Sequence, residues 1–174
     1  MKRAKRIQFY NVQIKGEIVL IIQYADPRHP EITALLGQSY KMMQSLYKTH
    51  EDHSLSIDDL CRKDVRFLGA KTKDTYIGCA ALALREGYGE IKSMFANPNH
   101  RGNGVGKALL GALEAEAIKH KLPHLKLETG ALLKEAVDLY VRHGFQVCGP
   151  FGEYTDDGIS IFMSKTLIKN HDQR

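Results

Sequence analysis

The amino-acid sequence predicts one α/β domain, because strand-like apolar runs alternate with segments of helical periodicity along most of the chain. A length of 174 residues is enough to bury the core of a single domain. The apolar fraction of 43% and the charged fraction of 26% are ordinary for a globular protein. The sequence contains no internal repeat and no low-complexity linker that would divide it.

Hydrophobic periodicity and turn residues place the elements in order along the chain. The segment 30–47 has apolar residues at helical spacing and begins with Pro30, which suits a first helical turn. The predicted elements are a strand over 17–27, a helix over 30–47, a polar loop over 49–63, strands over 65–72 and 75–86, a third strand within 86–98, a helix over 104–120, a strand over 124–129, a helix over 133–144 and two last strands within 145–167. A strand–helix unit, a three-strand meander and a final alternation of strands and helices are typical of an α/β domain.

The predicted domain covers 17–167. It is preceded by a basic arm or first strand over 1–16 and followed by a C-terminal tail over 168–174. Four basic residues near the N terminus supply +4 of the net charge of +5, so the rest of the chain is close to neutral. A neutral body with a short basic tail is a weak footprint for nucleic acid, and we expect no nucleic-acid partner. The arm is basic and acid-poor like a transit peptide, but it lacks serine.

No membrane span, metal site or disulfide framework is predicted. No apolar run approaches the ~18–20 residues that a membrane helix needs. The cysteines Cys61, Cys79 and Cys148 are odd in number, and no CxxC or HxxxH pair suggests a metal site. We therefore expect no membrane contact and no metal. Reduced cysteines without a signal sequence lead us to expect the cytoplasm.

The segment 99–113 places Gly102, Gly104 and Gly106 at alternate positions immediately before a predicted helix. A strand, a glycine-rich turn and a helix N terminus form an anion site, because converging backbone N–H groups and the helix dipole favour phosphate. Arg101 and Lys107 bracket this loop. The spacing fits neither the P-loop GxxxxGK[ST] nor the dinucleotide motif GxGxxG. A glycine-rich turn without a ligand is the alternative.

The pattern Arg101-x-x-Gly104-x-Gly106 resembles the (Q/R)xxGx(G/A) signature of the GNAT acyl-CoA-dependent acetyltransferases, in which this loop cradles the pyrophosphate of coenzyme A. A strand ending in MFANP precedes the loop, and LYVRHGF at 139–145 is similar to the family's LYxxxGF. The resemblance covers most of 17–167. GEIKSM, LETG and the segment 144–163 look closest to a bacterial branch, the YsnE-type N-acetyltransferases. The resemblance to the GNAT family implies a mixed, mostly antiparallel twisted central sheet flanked by helices, with acetyl-CoA as cosubstrate.

The same resemblance implies that the strand before the loop is splayed from its neighbour, so that its backbone pairs with pantetheine. One N–H, of Met94 or Ala96, would then face the thioester oxygen and stabilise an oxyanion. The implied cofactor-binding residues are Met94, Phe95, Ala96, Arg101, Gly102, Asn103, Gly104, Val105, Gly106, Lys107 and Tyr140. Leu133 stands where many family members carry Asn, so a side-chain contact to pantetheine would be absent.

Tyr140 is the candidate general acid. A phenol with a pKa of about 10 stays protonated beside a thiol of about 8.5, and can hydrogen-bond or donate to the departing sulfur. The alternative is a tyrosine packed on the core side of its helix. Cys148 is a weak candidate nucleophile, since no histidine is adjacent and the thioester is already activated.

Glu90 is the first candidate base for the acceptor amine, and Glu128 is the second. Strand alternation predicts that Glu90, Lys92 and Met94 share one face, which would put the Glu–Lys pair in the site. An exposed cross-strand ion pair is the alternative.

The expected function is transfer of the acetyl group of acetyl-CoA to a primary amine of a small molecule or peptide, by direct attack in a ternary complex. Specificity would come from 36–58 and 149–158, where the acidic residues Glu51, Asp52, Glu153, Asp156 and Asp157 suit a cationic amine. Acetyl-CoA and the acceptor are the expected partners, and a homodimer is left open. The rival functions are a non-catalytic acyl-CoA sensor on the same fold, and nucleic-acid binding by the basic arm.

Overall fold

A computed structural model describes residues 10–14, 18–47 and 54–167. The strands are β1 (Tyr10–Ile14), β2 (Ile18–Tyr24), β3 (Val65–Thr72), β4 (Thr75–Arg85), β5 (Tyr88–Ala96), β6 (His124–Gly130), β7 (Gln146–Cys148) and β8 (Ser160–Thr166). The helices are α1 (Pro30–Leu46), α2 (Ile57–Leu60), α3 (Val105–Lys119) and α4 (Lys134–Arg142), with a 3-10 turn at Pro98–His100. The predicted elements are therefore present, in the predicted order.

The eight strands form one sheet in the order β1-β2-β3-β4-β5-β6-β8-β7. Every described pairing is antiparallel except that of β5 with β6, which is parallel. The expected mixed, mostly antiparallel sheet is confirmed. The sequence predicts either a basic arm or a first strand over 1–16. Its residues Tyr10–Ile14 form β1 and pair with β2, while 1–9 lie outside the described residues.

Helices cover both faces of the sheet, and each face has its own core. We call the first the α3-side core, which includes Leu20, Ile22, Leu68, Leu82, Ile91, Leu109, Leu113, Leu127, Tyr140, Phe145 and Met163. The second, the α1-side core, consists of Ile32, Leu35, Leu60, Val65, Phe67, Tyr76, Cys79, Ala81, Ala83 and Phe95. Burial of these side chains provides the main favourable free energy of folding.

Short-range signals explain the element boundaries. The polar loop contains α2, whose Ser56 and Asp59 form a reciprocal capping box. The β3–β4 turn places Lys73 at a φ of 52°, and the β4–β5 turn places Gly87 at 79°. Helix α4 ends before Gly144, whose φ of 84° is typical of the residue after a helix C terminus.

The C terminus of α1 is tied to the end of β6. The hydroxyl of Tyr47 accepts a hydrogen bond from the backbone N–H of Leu132 at 2.7 Å, and a Cβ on Gly130 would overlap the Tyr47 ring. We expect Gly130→Ala to lower the free energy of unfolding by about 1–3 kcal/mol, measured by denaturant titration, because the ring must move. Gly111→Ala is the control. It meets nothing within 4 Å on α3 and should be neutral or stabilising.

Candidate active site

The site begins where β5 and β6 separate. Their parallel pairing runs only from Gly89–Leu125 to Ile91–Leu127. β6 continues to Gly130 beside β8, and β5 continues to Ala96 beside β4. The two strands therefore open into a cleft of about 1980 Å³, lined by the last residues of β5 and β6, the loop before α3, and helices α1, α3 and α4.

A β-bulge in β5 alters which side chains share a face. The register shifts opposite Ala80, and Ser93 takes a φ of 51°. Glu90 and Lys92 lie opposite alanines of the α1-side core, whereas Met94 packs against the α3-side core. The prediction that Glu90, Lys92 and Met94 share one face is therefore wrong, because the inserted residue reverses the alternation after Lys92.

The glycine loop has the backbone geometry of an anion site. Gly104 is the N-cap of α3 with a φ of 76°, and Gly102 has a φ of 77°. Both conformations disfavour any residue with a Cβ. The first bond of the helix runs from the Ala108 N–H to the Gly104 carbonyl at 2.9 Å. The N–H groups of residues 105–107 thus precede the intrahelical ladder, and the first turn contains no acidic side chain.

Position 106 requires glycine for a different reason, which is the packing of two helices. A Cβ there would lie 2.8 Å from Leu139 Cδ2, so the missing side chain lets α4 approach the start of α3. Two glycines of the loop are therefore explained by positive φ and the third by helix packing.

Basic side chains surround this end of the cleft. Arg101 lies 3.4 Å from Glu135 and also contacts the sulfur of Met42 at 3.7 Å, so it spans from the loop toward α1 and α4. The lining residues at this end with basic or imidazole side chains are His100, Arg101, Lys107, Lys134, Arg142 and His143. Of the predicted cofactor-binding residues, all except Asn103 line the cleft.

Tyr140 projects from α4 into both the core and the cleft. Its side chain is buried, its ring contacts Phe145 edge-to-face at 5.7 Å, and its hydroxyl contacts Met94 Sδ at 3.7 Å. Burial raises the pKa of the phenol well above its ordinary value, and the charge of Glu128 raises it further. The hydroxyl therefore keeps its proton at neutral pH.

Glu128 lines the cleft near the end of β6. The hydroxyl of Ser160 on β8 donates a hydrogen bond to its carboxylate at 2.7 Å, which restrains the side chain from the far side. Its influence on the pKa of Tyr140 indicates that the two groups are close enough to interact electrostatically.

Glu90 sits in a buried polar cluster. Its carboxylate accepts hydrogen bonds from the Tyr154 hydroxyl at 2.6 Å and from Arg85 Nε at 3.2 Å, and Lys92 Nζ lies 3.6 Å away. Lys92 donates to the same Tyr154 hydroxyl at 2.6 Å. Glu90 is 5% exposed, so the alternative of an exposed cross-strand pair is wrong. Lys92 lines the cleft and Glu90 does not.

Sequence reasoning missed Tyr154. It lies in the loop between β7 and β8, and Phe151 and Phe162 pack against its ring at 5.1 and 5.6 Å. Burial raises the pKa of its phenol, and its hydrogen bond to Glu90 adds to this shift. An aromatic residue in a loop rich in Gly and Asp is the only signal that the sequence offers.

Helix α1 forms the opposite wall of the cleft. Together with its C-cap residue and the residues around the start of α2, it contributes Thr33, Leu36, Gly37, Ser39, Tyr40, Met42, Met43, Gln44, Leu46, Tyr47, Ser54, Leu55, Ser56 and Ile57. This wall includes most of the described part of 36–58. Leu133 is the N-cap of α4 and also lines the cleft, without a side-chain cap.

The acidic residues expected to select a cationic acceptor are not in the described lining. Glu51 and Asp52 lie outside the described residues, and Glu153 is not a lining residue. Asp156 and Asp157 accept backbone N–H bonds of their own loop at 2.7–3.0 Å. Asp156 and Asp157 therefore stabilise the conformation of their own loop.

No group of three or more His, Cys, Asp or Glu side chains within 10–14, 18–47 and 54–167 is arranged to hold a metal ion. In the same part of the chain, no helix is long and apolar enough to cross a membrane. Cys79 is fully buried, and burial raises its thiol pKa to about 12.

A splayed pair of parallel strands facing a glycine-rich helix N terminus defines the class of acyl-CoA N-acyltransferases. The profile of the acetyltransferase (GNAT) family matches residues 30–145, and the chain belongs to this family. It is 38% identical over 143 residues to the IAA acetyltransferase of Azospirillum brasilense, covering 81% of this chain and 94% of the relative. It is 34% identical over 140 residues to the uncharacterized N-acetyltransferase YsnE of Bacillus subtilis, covering 79% and 93%.

A crystal structure from Klebsiella pneumoniae, described as an acyl-CoA N-acyltransferase, superposes with a TM-score of 0.73 at 32% identity. The match covers 86% of this chain and 98% of that one. The resemblance to the bacterial branch that includes YsnE is thereby confirmed, and the protein is an acyl-CoA N-acyltransferase of the GNAT type.

Proposed function

We propose that the enzyme transfers the acetyl group of acetyl-CoA to a primary amine of a small molecule or peptide, by direct attack in a ternary complex. The supporting observation is that one cleft brings together the separated edges of β5 and β6, the glycine loop and the Tyr140 hydroxyl. Such a cleft can hold an extended phosphorylated ligand and present its far end to a second substrate.

Binding of acetyl-CoA would begin at α3. The N–H groups of residues 105–107 and the charges of Arg101 and Lys107 suit the pyrophosphate. The backbone of Met94–Ala96, freed from β6, suits the amide groups of pantetheine, as in strand addition to a sheet edge. An N–H of Met94 or Ala96 would then face the thioester oxygen and stabilise the developing oxyanion.

In the transfer, the acceptor nitrogen forms a bond to the acetyl carbon and the carbon–sulfur bond breaks. Tyr140 would hydrogen-bond to the departing sulfur or protonate it, and the product is free coenzyme A thiol. Its raised pKa favours hydrogen bonding over complete proton transfer, because a weaker acid holds its proton more tightly; the departing thiolate then takes its proton from solvent. The amine proton leaves to a base or to water.

For that base we favour Glu128. Its carboxylate lines the cleft and interacts electrostatically with Tyr140, which is the candidate acid. The assignment of Glu90 as the base stays a prediction. Its carboxylate is enclosed by Arg85, Lys92 and Tyr154, an environment that suits a residue positioning its neighbours.

We expect Glu128→Gln to depress activity most at low pH, with recovery as the pH rises and more acceptor is already a neutral amine. The pH profile of kcat/KM for coenzyme A release measures this. Glu90→Gln is the comparison variant and should lose activity to a similar extent at every pH. If Glu90→Gln instead loses activity mainly at low pH and Glu128→Gln loses it equally at every pH, Glu90 is the base.

Release of coenzyme A thiol from acetyl-CoA, tested against amines, amino acids and peptides, checks the proposal as a whole. The panel should include IAA, the compound that appears in the name of the Azospirillum brasilense relative. Binding of acetyl-CoA without release for any acceptor would favour a non-catalytic sensor and contradict the proposed transfer.

A further inference from the structure

Two oppositely charged residues follow the last parallel pair of β5 and β6, at the point where the strands separate. The last parallel pair is Ile91–Leu127, and both of these residues belong to the α3-side core. The next residues along the two strands are Lys92 and Glu128. By alternation they point to the other face, which is the face covered by α1. Both line the cleft.

Within the described chain, Lys92 and Glu128 are the only charged residues that line the cleft outside the glycine-loop end, which is formed by 100–107 and α4. The wall contributed by α1 and by 54–57 consists of uncharged side chains. The remaining charged lining residues belong to 100–107 and to α4, at the end with the glycine loop. The described lining formed by α1, 54–57 and the ends of β5 and β6 therefore has Lys92 and Glu128 as its charged residues, and the Lys92 ammonium also contacts Tyr154 and Glu90, which do not line the cleft.

Both charges are held by surrounding groups. The Tyr154 hydroxyl accepts from Lys92 at 2.6 Å, and the side chain of Lys92 is 11% exposed. Ser160 donates to Glu128 at 2.7 Å. Restrained charges in a partly buried site recognise a complementary ligand at little cost in side-chain entropy. Arg85 also pairs with Glu90, so a ligand carboxylate can share Lys92 without leaving Glu90 unpaired.

We propose that the acceptor is an aminocarboxylate, whose amine meets Glu128 while its carboxylate meets Lys92. This inference rests on the proposed acetyl transfer. A zwitterion is complementary to the two side chains whether or not they contact each other in the free enzyme, since it supplies a partner for each. An amine without a carboxylate would leave Lys92 with its existing partners Tyr154 and Glu90 and would gain only the contact to Glu128, so we expect the aminocarboxylate to bind more tightly.

The test compares each common L-amino acid, and a series of straight-chain ω-amino acids, with its own carboxamide as acceptor for the full-length enzyme. The measured quantity is kcat/KM for thiol release. We expect at least one acid to exceed its amide by about tenfold or more. Lys92→Met should reduce this acid-to-amide ratio to about one, and Lys92→Arg should retain a preference for the acid.

Lys41→Met is the matched control, since Lys41 is an exposed lysine of α1 that does not line the cleft; its ratio should equal that of the wild type. Calorimetry with acetyl-CoA verifies that each variant is folded and loaded. Three results overturn the inference. They are equal kcat/KM for acids and amides, an acid-to-amide ratio that Lys92→Met leaves unchanged, and no turnover with any member of the panel despite normal acetyl-CoA binding. Failure of the wild type to bind acetyl-CoA, or binding without thiol release for any acceptor of the wider panel of amines and peptides, refutes the proposed function itself. Calorimetry together with that wider panel separates these two results from failure of the inference.

Discussion

Replacing Tyr140 by Phe should lower kcat about 100-fold and leave the affinity for acetyl-CoA nearly unchanged, which is within the range of general acid catalysis. The ring would keep its packing against Phe145 and the rest of the α3-side core. Only the hydroxyl disappears, and its contact is the weakly accepting sulfur of Met94. The loss therefore falls on the transition state, in which negative charge develops on the departing sulfur.

Steady-state kinetics and calorimetry with acetyl-CoA separate the two effects. Tyr88→Phe is the control, because it removes a phenol hydroxyl whose ring packs on Phe151 and which does not line the cleft. Its kcat should stay within about twofold of the wild type, as expected for a substitution outside the site. Full activity of Tyr140→Phe would assign the proton to water or to another residue, and a large fall in affinity would make Tyr140 a binding residue.

Regular elements could be predicted from the sequence because their signals are local. The helical spacing from Pro30 onward and the strand–turn–strand pattern around Lys73 and Asp74 each lie within one continuous segment. The glycine loop was predictable for the same reason, since backbone conformation near φ +76° restricts the residue at that very position.

The bulge at Ser93 could not be predicted in this way. It depends on how β5 pairs with β4, and no residue type between Glu90 and Met94 requires it. A single inserted residue reverses the alternation, so a face assignment that is right for Lys92 becomes wrong for Met94. The position of Met94 beside the Tyr140 hydroxyl is a consequence of that insertion.

The surroundings of Glu90 were also beyond the sequence. Tyr154 is 64 residues away along the chain, and it reaches Glu90 because Phe151 and Phe162 pack against its ring and hold its loop against the sheet. Contacts of this kind follow from the tertiary packing of a loop, which has no periodicity to read. The sequence ranks Glu128 only as a second candidate base, because Ser160, which donates to it, and Tyr140, whose pKa it raises, come from two other elements.

Substituting Gly104 by Val should weaken acetyl-CoA binding by well over tenfold, which corresponds to more than about 1.4 kcal/mol. The β-branched side chain would occupy the approach to the N–H groups of residues 105–107, and it would strain a residue at φ 76°. Isothermal titration calorimetry with acetyl-CoA and with desulfo-CoA measures the loss without turnover.

Backbone strain alone could lower affinity by loosening the fold, so the control must have the same strain elsewhere. Gly87→Val provides it, since Gly87 has a φ of 79°, open space around its Cβ position and a place in the β4–β5 turn outside the cleft lining. We expect both variants to lose similar stability, by about 1–3 kcal/mol, while only Gly104→Val loses the ligand. Equal affinities in the two variants would mean that the loop before α3 does not bind the phosphates, and the anion site would then have to be sought among the basic side chains of α4.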